Sequence, residues 1–372
     1  MSTPRIALIM AGGTGGHVFP ALAVARVLRE RGLTPVWLGT ERGMESRLVP
    51  QHGIEMEYIT VSGVRGKGML TALFAPLNLL RAVLQAMQVI RRRKPVVVFG
   101  AGGFVSGPGG IAAWLLRKPL VIHEQNAIAG MTNRWLAKIA QRVYEAFPHS
   151  FTDRAFGRAA ICVGNPVRRE ITSVPAPAQR FASRHDAMRL LVVGGSLGAQ
   201  RLNALVPAAL ALLQTDERPQ VIHQAGEKNL AAAQAAYRDS KVEGEVRAFI
   251  DDMAAMYGWA DLVICRAGAL TVSELAAVGV PALFVPFPAA VDDHQTHNAQ
   301  FLVNAGAAVL IQERDLSGDK GAQRLADALH NLFVQGRAHL LHMAERARER
   351  AIVDADVRIA DECSRLAAGD AA

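Results

Sequence analysis

The sequence has few cysteines and few aromatic residues, and each scarcity excludes a class of protein. The three cysteines, Cys162, Cys265 and Cys363, lie far apart without metal-ligand spacing. They therefore predict buried, reduced thiols in a cytosolic protein and not a disulfide framework. Aromatic residues make up only 6% of the 372-residue chain, and no basic run is interleaved with them. This composition argues against a nucleic-acid platform.

The chain also lacks an apolar run that could cross a membrane as one helix. The longest such run, residues 275–291, contains Gly279 and three prolines, so it predicts a helix end, a strand and a loop. The apolar residues 5–10 pass directly into glycines, without the cleavage pattern of a signal peptide. The net charge of +8 favours anionic partners such as phosphates, nucleic acid or an acidic membrane surface.

Strand-like and helix-like patterns alternate along both halves of the chain. The predicted strands lie near residues 5–10, 34–39, 56–61, 96–100, 120–124 and 142–147, and then near 189–193, 220–224, 246–250, 262–265, 282–287 and 308–311. Residues 322–368 are almost wholly helical in pattern, and a proline-bearing tract at 174–177 is the predicted interdomain link. This alternation predicts two α/β domains in tandem, each with a parallel sheet between helices.

Glycine-rich turns follow the strands at residues 12–16, 102–110 and 194–198. Because ligands bind outside the carboxyl ends of strands in open α/β sheets, a cleft between two such domains is the predicted site. No turn matches the dinucleotide fingerprint or a Walker A sequence, although Glu41 follows the second strand, where a dehydrogenase has its ribose-binding acid. The turns suit close approach of a diphosphate or a sugar.

His17 lies in the first glycine turn, residues 12–20 (GGTGGHVFP), and Pro20 is predicted to open a helix that runs to about Arg31. The positive end of that helix disfavours an imidazolium, so His17 is a candidate base. A histidine that only caps or packs is an equal alternative.

Residues 123–126 (HEQN) end an apolar strand and are expected to lie outside the core. Glu124 could act as a base, orient His17 or belong to a structural ion pair. Asn126 offers both a donor and an acceptor to a hydroxylated ligand.

A strand at residues 262–265, a turn at Gly268 and a helix from near Thr271 form a second candidate site. The helix N-terminus would aim backbone N–H groups at an anionic or hydroxyl-rich ligand, and Glu274 could bind a diol such as a ribose. Thr271 and Glu274 also fit a capping box, which the spacing alone favours. Residues 292–295 (DDHQ) resemble a metal site, but without metal-ligand spacing a solvated loop is the alternative.

Residues 65–94 combine an apolar helical pattern with basic residues. The apolar positions are Met69, Leu70, Leu73, Phe74, Leu77, Leu80 and Leu84, interrupted by Pro76, and the basic ones are Arg65, Lys67, Arg81 and residues 91–94. Trp114 with Arg117 and Lys118 repeats the combination. The pattern predicts an interfacial membrane contact, and a core-facing helix with a solvated basic end is the alternative.

Seven motifs, in this order over nearly the whole chain, together resemble the MurG family of glycosyltransferases. They are residues 12–20, 102–110 (GGFVSGPGG), 123–126, 164–168 (GNPVR), 194–199 (GGSLGA), 249–253 (FIDDM) and 266–274 (RAGALTVSE). The resemblance implies an α/β protein of the GT-B fold, with two Rossmann-like domains whose parallel sheets face each other across a cleft. It implies an N-terminal acceptor and membrane-contact domain at 1–165, joined by a C-terminal helix at about 345–372, and a UDP-N-acetylglucosamine domain at 166–344.

The resemblance also implies an activity and its partners. The reaction is a metal-independent, inverting transfer of N-acetylglucosamine from UDP-N-acetylglucosamine to the 4-hydroxyl of the muramyl sugar of lipid I, without a cofactor. The product is lipid II, a precursor for peptidoglycan synthesis and hence for cell shape and division. The enzyme would bind peripherally to the anionic cytoplasmic face of the cell (inner) membrane, with no nucleic-acid partner and with a cell-wall synthesis or division complex as protein partner.

The family pattern assigns roles to residues of this sequence. His17 is the candidate base and Glu124 the second candidate. The backbone of Ile250 receives the uracil, Glu274 takes the ribose diol, and Ser196 with its glycine turn takes the diphosphate. The other donor-site residues are Thr14, Gly15, Gly16, Asn126, Arg168, Ala269, Leu270, Thr271, Val272, Ser273 and Gln295. The membrane contact comprises Leu70, Leu73, Phe74, Leu77, Arg81 and Trp114. Phe104 stands where many members have tyrosine, which removes a hydroxyl there.

Three other functions compete with this one. A UDP-N-acetylglucosamine 2-epimerase shares the architecture but acts on a soluble sugar, which the basic and apolar residues 65–94 argue against. A nucleotide-sugar-binding regulator would not need His17 or the acceptor-side turns. A nicotinamide dehydrogenase is the remaining alternative.

Overall fold

The computed structural model describes residues 4–61, 74–151, 159–195, 199–288, 290 and 293–369. The chain divides into two compact units, the first comprising Met1–Arg168 with Ile352–Ala372 and the second comprising Arg169–Ala351. The tract at 174–177 therefore lies inside the second unit, where Val174 is buried.

The first unit is built on a parallel sheet with seven strands among the described residues, in the order β3-β2-β1-β4-β5-β6-β7. The strands are β1 Ile6–Met10, β2 Thr34–Gly39, β3 Glu55–Tyr58, β4 Val97–Gly100, β5 Leu120–Glu124, β6 Arg142–Glu145 and β7 Ile161–Cys162. Its helices are α1 Gly15–Glu30, α2 Glu45–Gln51, α3 Ala75–Arg93, α4 Ser106–Leu115 and α5 Met131–Leu136. A last helix, Ala355–Ala368, belongs to this unit and is named α15 below.

The second unit repeats the architecture with six described strands in the order β10-β9-β8-β11-β12-β13. These strands are β8 Arg189–Val193, β9 Gln220–Gln224, β10 Glu245–Arg247, β11 Leu262–Cys265, β12 Ala282–Phe284 and β13 Ala308–Leu310. Its helices are α6 Arg169–Thr172, α7 Pro177–Phe181, α8 Gln200–Ala211, α9 Leu230–Asp239, α10 Met253–Trp259, α11 Ala269–Val278, α12 His294–Val303, α13 Gly321–Phe333 and α14 Gly336–Glu349. Among the described residues of this unit, three short 3₁₀ helices lie at Thr215–Glu217, Glu227–Asn229 and Glu313–Leu316.

The central strands are apolar on both sides because helices cover both faces of each sheet. In the first unit, Ile9 on β1 packs with α1 and α15, whereas Leu8 packs with α3 and α4 on the opposite face. Cys363 of α15 lies in the first of these two cores, so the C-terminal helix completes it. The predicted α/β class with two Rossmann-like parallel sheets is confirmed.

One prediction about a proline is wrong. α1 begins at Gly15 and not at Pro20, because the carbonyl of Thr14 already accepts the N–H groups of His17 and Val18. Pro20 is accommodated inside the helix, where its missing N–H removes a single bond of the ladder. Pro76 lies at the start of α3, and the earlier part of the predicted apolar pattern, residues 69–73, lies outside the described residues.

The prediction of buried thiols is confirmed for Cys265 and Cys363, whereas Cys162 is only half-buried. Burial raises the pKa of the Cys265 and Cys363 thiols, so both stay protonated and act as small apolar side chains.

Candidate active site

Three neighbouring strands bring motif residues of the first unit together. β1, β4 and β5 lie side by side in the sheet, and their carboxyl ends lead into His17, Gly102 and Gln125. Because the strands are parallel, these ends share one edge of the sheet. The strand order therefore joins residues that are far apart in sequence.

His17 lies in the first turn of α1, and its imidazole contacts a buried amide. The Nδ1 atom lies 3.1 Å from Oε1 of Gln125, and Nε2 of Gln125 donates to the carbonyl oxygen of Ala101 at 2.7 Å. Gly102 lies beside the ring with a φ of +93°, and a Cβ there would lie 2.7 Å from the Nδ1 atom of His17. Only glycine suits this position.

Glu124, the second candidate base, is buried, and N–H donors surround its carboxylate. The Oε1 atom accepts from the backbone and side-chain nitrogens of Asn126 at 2.9 and 3.3 Å. The Oε2 atom accepts from the backbone nitrogen of Gly130 at 3.1 Å and from Nδ2 of Asn133 at 2.8 Å. Glu124 thus fixes the loop that presents Asn126, which favours an orienting role over proton transfer.

His123 is fully buried beside this cluster, and its Nε2 contacts the carbonyl oxygen of Gly164 at 2.9 Å. Burial lowers the pKa of His123 to about 4; the Gly164 hydrogen bond opposes that shift and the charge of His17 adds to it. The expectation that the polar run would lie outside the core is wrong for His123, Glu124 and Gln125. Each side chain makes at least one hydrogen bond that offsets its burial, although Nδ1 of His123 has no hydrogen-bond partner.

Glu45 is a residue of this site that sequence analysis missed. It is fully buried, its Oε2 accepts the backbone N–H of Gly13 at 3.1 Å, and its Oε1 accepts from Thr40 at 3.0 and 2.8 Å. A Cβ on Gly12 would lie 2.7 Å from the Oε1 atom of Glu45. Glu45 therefore shapes the first glycine turn, whereas Glu41, the acid considered from the sequence, is exposed.

In the second unit, Glu274 is held by a neighbouring helix. α11 begins at Ala269 after the N-cap Gly268, so Thr271 lies within the helix and the predicted capping box is wrong. Glu274 is 5% exposed, and its Oε2 accepts the phenolic O–H of Tyr257 at 3.2 Å. Tyr257, on α10, was not predicted, because nothing in its own segment points to Glu274.

Gln224, also missed, joins two loops of the second unit. Its Oε1 accepts the backbone N–H of Ile250 at 3.0 Å, and its Nε2 donates to the carbonyl oxygen of Gly195 at 3.3 Å. The sequence did contain a signal for Gln224, because this polar residue ends an apolar strand, just as Gln125 directly follows one. This single side chain links the predicted uracil position to the predicted diphosphate turn.

The remaining predicted donor residues divide between the two units. Thr14, Gly15, Gly16, Asn126 and Arg168 lie in the first unit, and Ile250, Glu274, Gln295 and the first five residues of α11, Ala269, Leu270, Thr271, Val272 and Ser273, lie in the second. The Arg168 guanidinium lies 5.8 Å from the ring centre of Phe19. Gln295 accepts the N–H of Phe287 at 2.9 Å. Ser196 lies outside the described residues.

The helix α3 has two apolar faces. One packs into the core through Ala82, Val83, Ala86, Val89 and Ile90, as the core-facing alternative requires. The other leaves Phe74, Leu77, Leu80 and Leu84 more than half exposed, which that alternative does not explain. Arg81 is exposed as well, and Trp114, 53% exposed, lies in the last turn of the adjacent α4. Leu70 and Leu73 lie outside the described residues.

Two further observations concern the surroundings of this exposed face. Arg92 and Arg93, at the basic end of α3, form ion pairs with Glu57 and Glu55, so part of the predicted basic collar is neutralised. The helix α5, which packs on α4, exposes Met131 and Trp135, and the Lys138 ammonium lies 4.4 Å from the centre of the Trp135 ring. These apolar residues of α5 were not predicted.

The part of the chain that the structure describes contains no helix long and apolar enough to cross a bilayer. It also contains no group of three or more His, Cys, Asp or Glu side chains arranged to hold a metal ion. Of the metal-like run at 292–295, Asp292 lies outside the described residues, and Asp293 accepts the hydroxyl of Thr296 at 2.7 Å.

Two Rossmann-like units in one chain, with motif residues at the carboxyl ends of their strands, define a glycosyltransferase fold of the GT-B class. Family models agree with this class: the N-terminal domain model of glycosyltransferase family 28 matches residues 7–145, and the C-terminal domain model matches residues 189–359. The chain belongs to glycosyltransferase family 28 and, within it, to the MurG family.

Individual relatives match nearly the whole chain. A protein of Marinobacter nauticus, named UDP-N-acetylglucosamine--N-acetylmuramyl-(pentapeptide) pyrophosphoryl-undecaprenol N-acetylglucosamine transferase, is 55% identical over 368 residues, or 99% of each chain. The protein of that name from Dechloromonas aromatica is 52% identical and covers 97% of this chain and 98% of its own length. The crystal structure of Acinetobacter baumannii MurG has a TM-score of 0.84 at 41% identity, covering 97% of this chain and 100% of its own.

Proposed function

We propose that this chain transfers N-acetylglucosamine from UDP-N-acetylglucosamine to the 4-hydroxyl of the muramyl sugar of lipid I and so forms lipid II. The observation that carries this function is the 55% identity, over 99% of both chains, to a transferase whose name states the donor sugar and the lipid-linked acceptor. The reaction inverts the configuration at the anomeric carbon of the sugar through one in-line displacement. It needs a base for the acceptor hydroxyl and a site that stabilises the departing UDP.

The second unit is assigned the UDP moiety, with Glu274 as the acceptor for the ribose diol. The carboxylate is buried and oriented by Tyr257, so it can accept a hydrogen bond from each of two hydroxyl groups. The first residues of α11 supply N–H groups at the positive end of the helix, which favours a negatively charged group there.

The uracil is assigned to the backbone of Ile250, with its carbonyl oxygen as the contact. The Ile250 N–H already donates to Gln224, so the carbonyl is the more suitable partner, and it would accept the N3–H of uracil. The diphosphate is assigned to the turn at residues 194–199 with Ser196. Gly195 suits the diphosphate because its φ of +85° favours glycine, and a Cβ there would lie within 4 Å of none of the described residues.

The first unit is assigned the proton transfer and the acceptor. His17 is the proposed base, because its Nε2 edge lies opposite the Nδ1 edge that Gln125 and Gly102 cover. Glu124 is proposed to orient Asn126, since four N–H contacts already occupy its carboxylate. Thr14, Gly15, Gly16 and Arg168 stay predicted donor contacts.

The exposed face of α3 is assigned to an anionic membrane surface, together with Trp114 and the exposed residues of α5. Large apolar side chains beside Arg81 and Lys138 suit the interface between acyl chains and anionic headgroups. A lipid-linked acceptor requires such a contact. It would place the enzyme peripherally on the cytoplasmic face of the cell membrane. A cell-wall synthesis or division complex stays a predicted protein partner.

The function is tested by measuring UDP release from UDP-N-acetylglucosamine with and without a lipid I analogue, and by identifying the disaccharide product. We expect UDP and lipid II analogue in equal amounts, only when the acceptor is present. Conversion of the donor sugar to its 2-epimer without acceptor would indicate an epimerase. Tight donor binding without turnover would indicate a regulator, and binding of a nicotinamide cofactor would indicate a dehydrogenase.

A further inference from the structure

Gln125 connects His17 to the backbone of a neighbouring strand. The side chain is 2% exposed, with its Nε2 donating to Ala101 O at 2.7 Å and its Oε1 facing His17 Nδ1 at 3.1 Å. Ala101 follows β4 and Gln125 follows β5. The side chain of Gln125 therefore extends from the end of one strand and is bonded to the backbone at the end of its neighbour. Buried amides held in this way have little rotational freedom.

The two contacts together determine which nitrogen of His17 carries the proton. A backbone carbonyl only accepts, so the amide nitrogen of Gln125 must face Ala101 and the amide oxygen must face His17. An amide oxygen also only accepts, so the Nδ1 atom of His17 must be the donor. In the neutral ring this leaves the lone pair on Nε2.

Free histidine in water populates both neutral tautomers, so this selection requires a specific partner. Gly102 restricts the ring further, because its backbone lies close to Nδ1 and leaves no space for a Cβ. The Nδ1 edge of His17 is therefore enclosed by protein, and Nε2 is the nitrogen that a substrate hydroxyl can use.

We propose that Gln125 is a positioning residue that holds His17 in the Nδ1–H tautomer, so that Nε2 accepts the proton of the acceptor hydroxyl. The second half of this statement rests on the proposed function. In the reaction, the O–H bond of the acceptor breaks and its proton moves to Nε2. The acceptor oxygen forms the new bond to the anomeric carbon as the bond to UDP breaks.

Two variants of Gln125 separate the two contacts. Gln125→Met keeps the length of the side chain and removes both hydrogen bonds. Gln125→Glu keeps an oxygen acceptor for His17 but removes the donor to Ala101. If the contact to His17 is the important one, Gln125→Glu retains the turnover that Gln125→Met loses. If Gln125 acts only through its hydrogen bond to Ala101, both variants lose turnover to the same extent.

The direct measurement is nitrogen-15 NMR of the full chain labelled at its eleven histidines, with the His17 signals identified by their loss in His17→Ala. We expect Nδ1–H for His17 in the wild type and in Gln125→Glu, and a mixture of tautomers in Gln125→Met. An Nε2–H tautomer in the wild type overturns the proposal by itself, even if a variant does not fold. Unchanged tautomers in folded Gln125→Met overturn it as well.

Steady-state kinetics distinguish a failure of this proposal from a failure of the proposed function. In Gln125→Met we expect kcat to fall roughly 10- to 100-fold while KM for UDP-N-acetylglucosamine changes less than about threefold, because a wrong tautomer affects the chemical step. A tautomer that shifts without any loss of kcat would leave Gln125 as the positioning residue but remove His17 from the role of base. Full activity of His17→Ala would also remove it from that role.

Discussion

Tyr257 donates its phenolic O–H to Glu274 across two neighbouring helices, with 3.2 Å between the oxygens. Both side chains are buried, so the hydrogen bond is shielded from water and fixes one oxygen of the carboxylate. A carboxylate that binds a diol must present its oxygens in a fixed direction. If Glu274 binds the ribose diol as proposed, Tyr257 would affect donor binding by orienting that carboxylate.

Replacing Tyr257 with Phe removes this one hydrogen bond and keeps the ring. We expect KM for UDP-N-acetylglucosamine to rise about 3- to 10-fold with kcat nearly unchanged, since a hydrogen bond to a charged group contributes roughly 1.5–3 kcal/mol and its loss disorients the carboxylate without removing it. Steady-state kinetics over a range of donor concentrations measure the effect. Tyr237→Phe is the matched control, because Tyr237 is a buried tyrosine bonded to His223 and should change stability but not KM. Equal KM values in Tyr257→Phe and wild type would contradict the role of Tyr257.

Replacing Glu124 with Gln tests whether this carboxylate orients a loop or transfers a proton. The amide would turn an NH₂ group toward N–H donors of Asn126, Gly130 or Asn133, so we expect the free energy of unfolding to fall by about 2–4 kcal/mol. Urea unfolding measures this change, and the exposed Glu41→Gln is the control. A variant with wild-type stability but without turnover would instead support Glu124 as the base.

Two buried histidines predict a loss of stability in acid. Burial lowers the pKa of His123 and of His223 from 6.5 to about 4 in the folded protein. Above pH 6.5 both histidines are neutral in the folded and in the unfolded protein, so they do not change the free energy of unfolding. Between pH 6.5 and 4 they take up protons only in the unfolded chain, so the free energy of unfolding falls as the pH falls. The loss reaches about 3 kcal/mol per histidine at and below pH 4.

This pH dependence is measured by urea unfolding at several pH values between 7.5 and 4.5. His223→Gln should reduce its slope by up to about 1.4 kcal/mol per pH unit, because one of the two proton uptakes disappears. His330→Gln, at an exposed position, is the matched control. The same slope in His223→Gln and the wild type would show that His223 is protonated in the folded state.

The exposed face of α3 predicts a membrane-dependent phenotype. Leu77→Glu with Leu80→Glu should weaken binding to anionic vesicles roughly 10- to 100-fold, since two large apolar side chains lose their burial in the bilayer and two negative charges are added. Turnover of a lipid-linked acceptor should fall, whereas turnover of a water-soluble acceptor analogue should not. Val334→Glu, at an exposed apolar site of the second unit, controls for surface charge. Unchanged vesicle binding would remove α3 from the membrane contact.

The sequence was sufficient for the fold and for the positions of the motifs because periodicity and glycine turns are local signals. It was not sufficient for the contacts among them. Gln125 reaches His17 only because β1, β4 and β5 are neighbours in the sheet, and strand order is not written in any one segment. Similarly, the spacing of Thr271 and Glu274 fits a cap, but α11 begins earlier and Tyr257 approaches from another helix. Tertiary packing, and not the local sequence pattern, determines these side-chain contacts.

The boundaries of the two units have a consequence for biosynthesis. Residues 169–351 form one continuous segment, whereas the core of the first unit needs Ile359 and Cys363 from the far end of the chain. When translation reaches residue 351, every residue of the second unit has been synthesised, whereas the first unit still lacks part of its interior. A polypeptide truncated before Ile352 would therefore keep the whole second unit but expose the apolar side of α1 to chaperones and proteases.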